Sequence, residues 1–90
     1  YQEDAVVSRT LIEREVGTVT LFAFGAGQAL SEHTAPFDAL VHVLEGEAEV
    51  VLGGMRHTLR VGQAVLMPAH VSHAVKARKR FKMLLVMVRG

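Results

Sequence analysis

Turn-forming residues break this chain into short apolar and β-branched runs at roughly ten-residue intervals, and nothing in it carries a helical period. No segment sustains apolar residues at i, i+3, i+4 and i+7 across three turns, which an amphipathic helix needs. Strands are predicted near 5–12, 17–24, 28–34, 39–45, 47–52, 55–60, 63–67, 73–77 and 80–89. The punctuation between them is legible. Glu45-Gly46-Glu47 separates two apolar runs, Gly53-Gly54 is a two-residue hairpin signal, and Arg60-Val61-Gly62-Gln63 makes a further corner. Pro68 lacks a ladder donor and ends its strand. With no repeat and no linker, positions 1–90 read as one all-β domain, a sandwich or closed barrel rather than βαβ units.

Alternation decides which side chains face inward. In Val19-Thr20-Leu21-Phe22-Ala23-Phe24, Val19, Leu21 and Ala23 share one face while Phe22 and Phe24 share the other. The final run, Phe81 to Val88, is apolar on both faces and needs cover on both sides. A chain of 90 residues with no helix to spare is expected to find the second cover in another copy of itself, giving a homodimer formed sheet to sheet. The four methionines, Met55, Met67, Met83 and Met87, are expected in the core.

Composition excludes several classes. There is no cysteine, hence no disulfide, thiolate metal site or cysteine nucleophile. That fits a reducing compartment, and with no visible signal peptide the expectation is a cytoplasmic protein. A net charge of +1 exerts no global pull on nucleic acid or a membrane surface. No apolar run approaches the ~18 residues of a membrane-spanning helix. Lys76-Ala77-Arg78-Lys79-Arg80 is the one dense charge cluster. It reads as a solvated turn or a guard on an exposed strand edge, or as an element that steers an anionic ligand or binds phosphate. Without aromatic stacking partners or a recognition helix, no nucleic-acid partner is expected. Ser8, Ser31 and Ser72 lack a base and acid at recognisable spacing, so no catalytic residue is assigned.

Two histidine-bearing segments stand out. Gly27 is followed by five residues and His33, and Gly46 closes that stretch; Gly62, Pro68 and His73 form a second one. His33 and His73, forty positions apart, are expected to converge in the mouth of one small barrel. In these residues the chain resembles the cupin superfamily, the small single-domain RmlC-like type. The family's motifs run G-x5-H-x-H-x3,4-E-x6-G and G-x5-P-x-G-x2-H-x3-N. The resemblance implies a jelly-roll β-barrel, the double-stranded β-helix. It also implies a divalent metal ion (iron, manganese, zinc, nickel or copper), with a small oxygen-bearing molecule as ligand and oxygenase-, isomerase- or decarboxylase-type chemistry. Nothing in the chain selects among these.

The departures from the motifs bear on function. The second histidine falls on Ala35, the glutamate on Ala39, the glycine before the last histidine on His70, and the final asparagine on Ala77. Only His33 and His73 keep ligand register, whereas stable sites usually supply three or four protein ligands. His70, in a turn, and His42 are the candidates to complete the shell. Strand alternation turns His42 away from the interior unless a bulge intervenes. Asp38 could reach inward only through an irregularity near Pro36. Phe37, Met67, Ala35 and Ala39 are the expected pocket residues. A second reading is a metal-free small-molecule binding or sensing module, whose apolar cavity would follow from the two alanines. A third is a protein that binds a partner through its outer sheet.

Overall fold

The face of the second strand that carries Phe22 and Phe24 is the one the fold buries, and the architecture follows from that choice. The computed structural model describes residues 1–89 and contains β1 (Val6–Arg14), β2 (Gly17–Phe24), β3 (Ala29–His33), β4 (Asp38–Glu45), β5 (Glu47–Leu52), β6 (Met55–Arg60), β7 (Ala64–Met67), β8 (His73–Lys76) and β9 (Phe81–Val88). A five-stranded sheet runs β1-β2-β9-β4-β7, and a four-stranded sheet runs β3-β8-β5-β6. Every ladder is antiparallel. The two sheets pack face to face as a jelly roll. Among the described residues, no helix is long and apolar enough to cross a membrane.

The core is built from the inward positions of both sheets. Phe24, Val41, Val43 and Met83 enter from one side, Val50 and Val75 from the other, each 2% exposed or less. Phe24 and Phe81 are cross-strand partners whose rings stack at 4.5 Å and 15°. Such a pair adds about 0.5–1.5 kcal/mol beyond the area it buries. Met55 departs from expectation. It is 67% exposed at the start of β6, an edge strand next to the Gly53-Gly54 turn, where no neighbouring strand covers it.

The outer faces of the two sheets differ. On the five-stranded sheet, Val7, Ile12, Leu40, Leu66 and Val88 are exposed, and Leu21, Leu84 and Val86 between them are half-buried. On the four-stranded sheet the outward face carries Val51 and Ala74 near its middle and charged pairs beside them. Glu49 meets Arg56 at 3.4 Å and Glu47 meets Arg60 at 3.7 Å. These exposed pairs contribute little to stability.

Two turn glycines share a backbone conformation but not an environment. Gly27 has φ +79° and Gly46 φ +77°, both in the left-handed region that glycine enters without penalty. A Cβ on Gly27 would meet nothing within 4 Å, whereas one on Gly46 would lie 2.7 Å from the Arg80 carbonyl oxygen and 2.8 Å from Phe81 Cβ. The β4–β5 turn is thus pressed directly onto the segment leading into β9.

Candidate functional site

Histidines 33 and 73 meet because two edge-side strands pair with a slip. Ala29 faces Lys76 and Leu30 faces Val75, but a one-residue register shift follows, and His33 then lies opposite His73. Without the irregularity His33 would face Ser72. A bulge of this kind re-aims the side chains beyond it, and here it turns His33 onto the side that His73 occupies. On its other flank His73 pairs with Leu52 of β5.

The Nε2 atoms of the two rings are 3.1 Å apart, and the ring centroids are 4.3 Å apart in an edge-to-face arrangement. His73 is 6% exposed, whereas His33 is open to solvent. Each ring is also tethered locally. Nδ1–H of His33 donates to the Ser31 carbonyl at 2.8 Å, and Nδ1–H of His73 donates to the Val71 carbonyl at 3.1 Å. A carbonyl only accepts, so each Nδ1 carries a proton, and Nε2 is the nitrogen left to accept a proton or a cation. Two unprotonated Nε2 atoms this close repel unless a proton or a cation lies between them. Backbone carbonyls that fix the tautomer in this way are the usual support of metal-binding imidazoles.

The spacing suits an ion as well. With nitrogen ligands held at about 2.0–2.1 Å, neighbouring ligands lie ~2.9 Å apart at a right angle and ~3.4 Å apart in a tetrahedron. The observed 3.1 Å falls between these limits. As donors, His33 and His73 therefore fit two adjacent positions of a divalent metal shell. Among the described residues, no group of three or more histidine, cysteine, aspartate or glutamate side chains is assembled to complete it.

The other candidate ligands fall elsewhere. His42 pairs with Ala64 and Leu84 between the inward Val41 and Val43, so it lies on the outer face of the five-stranded sheet, and no bulge returns it. His70 is exposed, and its contribution to the site comes through its backbone. It has φ +67°, a left-handed conformation at the position where the cupin motif carries glycine, and its N–H donates to the Ala35 carbonyl at 2.8 Å. One residue earlier, the N–H of Ala69 donates to Asp38 Oδ1 at 2.8 Å. Those two bonds tie the segment after His33 to the turn before His73. Asp38 is thus a structural anchor that sequence reasoning had weighed only as a ligand. An aspartate beside a proline turn is the one signal that could have suggested it.

The expected pocket residues divide. Ala39 and Met67 are cross-strand partners, 6% and 3% exposed, packed into the core rather than lining an open pocket. Ala35 is half-buried and serves through its carbonyl. Phe37 is half-buried too, with the Arg89 guanidinium 5.5 Å from its ring centroid, a cation–π contact.

Comparison with known proteins identifies the fold family. A protein of unknown function from Streptococcus pyogenes, SPY1581, is 37% identical with a TM-score of 0.93, over 99% of this chain and 78% of its own. A cupin superfamily protein from Desulfitobacterium hafniense is 30% identical with a TM-score of 0.95, over 100% of this chain and 83% of its own. A cupin 2 conserved barrel domain protein from Leptotrichia buccalis is 38% identical with a TM-score of 0.95, over 99% of this chain and 43% of its own. No curated protein matches by sequence. The cupin domain family model matches residues 20–89, a span that includes His33, His73, the strands that carry them and the core, and the chain belongs to the cupin superfamily.

Proposed function

We propose that this barrel binds a divalent metal ion through Nε2 of His33 and Nε2 of His73, and through it a small oxygen-bearing ligand. The observation that carries the reading is the approach of the two Nε2 atoms to 3.1 Å, with a backbone carbonyl accepting from Nδ1 of each ring. His73, buried and flanked by Leu52, is the fixed donor, and His33 is the accessible one. Asp38 and the Ala35 carbonyl hold the two donor-bearing segments together. When bound, such an ion would supply Lewis acidity to a ligand oxygen, the basis of isomerase-type chemistry, and a redox-active ion such as iron would be needed for oxygenase-type chemistry.

The alanines at positions 35 and 39, where the cupin motif carries ligands, favour a second reading, a metal-free small-molecule module. Elemental analysis of protein expressed without a histidine tag separates the two. The metal reading expects near-stoichiometric metal, lost in His33→Ala and in His73→Ala, and lost on acidification because ligating imidazoles must be neutral. Metal-free protein that takes up no zinc, manganese or iron would reject it. The second reading expects a small apolar compound to raise the melting temperature without metal. The cysteine-free chain suits a reducing, cytoplasmic setting.

The same reading includes a homodimer through the outer face of the five-stranded sheet. Five strands at ~4.8 Å spacing and about eight residues of ~3.3 Å give a footprint of roughly 24 by 26 Å. That flat footprint is ~620 Å², and the relief of its side chains raises the accessible area toward the ~800 Å² per partner that stable interfaces bury. Its centre carries Leu21, Leu84, Val86 and Leu40, with His42 beside Leu84, while Arg9 and Lys82 lie nearer the periphery. An apolar centre with a charged rim is the anatomy of a protein interface. A second copy matches it because each copy presents the same face.

A further inference from the structure

At the far end of the four-stranded sheet is a cleft of about 780 Å³ whose walls include Arg56, Arg60, Arg78, Lys79 and Arg80. Two carboxylates, Glu47 and Glu49, also line it, leaving an excess of three positive charges in a chain whose net charge is +1. Each glutamate is already matched, Glu47 with Arg60 and Glu49 with Arg56. Arg78 and Lys79 form no ion pair among the described residues. The cleft is separate from the histidine pair. Glu47 begins β5 and Leu52, the partner of His73, ends it, five residues or about 17 Å away along the strand.

The loop that supplies the free cations is anchored at both ends. Ala77 exchanges two backbone hydrogen bonds with the β2–β3 turn, from Gly27 N–H at 2.8 Å and to the Gln28 carbonyl at 2.9 Å. At its other end the Arg80 backbone is seated against Gly46. Cations on an anchored loop lose less entropy on binding than cations on a mobile tail. A volume of this order is that of a small-molecule site, larger than an inorganic anion needs. Val61 adds an apolar wall and Thr58 a hydroxyl between the two paired arginines. Guanidinium groups grip phosphate oxygens with paired N–H donors, and a doubly charged group offsets the repulsion of the two nearby glutamates.

We propose that this arginine-lined cleft is a second ligand site, for a small organic phosphate. The test is a titration with pyrophosphate, then with ribose 5-phosphate, at constant ionic strength in physiological salt, read by amide chemical shifts. Saturable shifts at Thr58, Val61, Arg78 and Lys79, with a dissociation constant below about 1 mM, support the site. They should weaken at least tenfold in Arg78→Gln/Lys79→Gln and persist in His33→Ala, which separates this site from the histidine pair. Both substituted loop residues are exposed, and an unchanged melting curve verifies that the double variant folds. Shifts that fail to saturate, that survive in the double variant, or that appear only with a single-stranded oligonucleotide overturn the proposal.

Discussion

Gly27 and Gly46 make a matched pair for measuring what a close backbone approach contributes. Their φ angles differ by only two degrees, +79° and +77°. Alanine in the left-handed region costs about 1–2 kcal/mol at either site. The loss of unfolded-state freedom from Gly→Ala is the same at both and cancels in the comparison. What differs is the space. The new Cβ at 27 enters open solvent, and that at 46 strikes the Arg80 carbonyl oxygen and Phe81 Cβ, neither of which is the flexible end of a side chain. Overpacking of this kind adds about 1–3 kcal/mol. Gly27→Ala is therefore expected to destabilise by about 1–2 kcal/mol and Gly46→Ala by about 2–5 kcal/mol. For a domain of this size each kcal/mol shifts the melting temperature by roughly 4–8 °C. Urea unfolding followed by circular dichroism, with the slope unchanged, gives the difference directly. Equal destabilisation of the two variants would refute the claim that Gly46 is required by contact as well as by conformation.

Asp38→Asn weakens the hydrogen bond from Ala69 N–H; at this exposed position the expected loss is about 1 kcal/mol in urea unfolding. Metal affinity should fall with it, whereas a fall in stability alone would detach Asp38 from the site. Leu40→Glu with Leu66→Glu places charge on the apolar outer face, and light scattering should report 9.8 kDa particles where the proposed dimer predicts pairs for the unaltered protein. An unaltered protein that is already monomeric at high concentration removes the dimer. The single tyrosine offers a spectroscopic check. Burial, and then the charge and hydrogen bond of Glu45, hold the Tyr1 phenol above its ordinary value of 10.0, against an opposing pull from Arg80. The neutral phenol is favoured in the folded state, so this contribution to stability is complete below the unfolded value and is lost as pH rises through the folded one. Glu45→Gln should lower the phenolate absorbance midpoint, and an unchanged midpoint would contradict the contact.

The strands and their turns were legible because local physics specifies them. Glycine, proline and strict alternation act over a few residues, and Phe22 and Phe24 marked the buried face without tertiary information. The convergence of His33 and His73 was legible from motif spacing. The bulge that achieves it was not, because a slip between Leu30 and His33 depends on how β3 meets β8, forty residues later. Met55 was misplaced because its chemistry suits a core, while its strand is at a sheet edge. Ala39 and Met67 were placed on the correct face, but depth along the barrel axis, which periodicity does not encode, decides whether an inward residue lines a pocket or fills the core. Asp38 was missed as an anchor because its partner, the Ala69 amide, is a backbone group with no side-chain signature.

The two imidazoles sit on neighbouring strands of one sheet, and β3, which carries His33, is the outermost of the four. Peeling that border strand outward would separate the rings while leaving Phe24, Phe81 and the rest of the interior packed. Exchange at the pair is therefore governed by local fraying of five residues, not by the stability of the whole molecule. Hydrogen exchange at Ala29–His33 should be fast where the interior strands are slow, and a bound ion would act as a clasp that slows it.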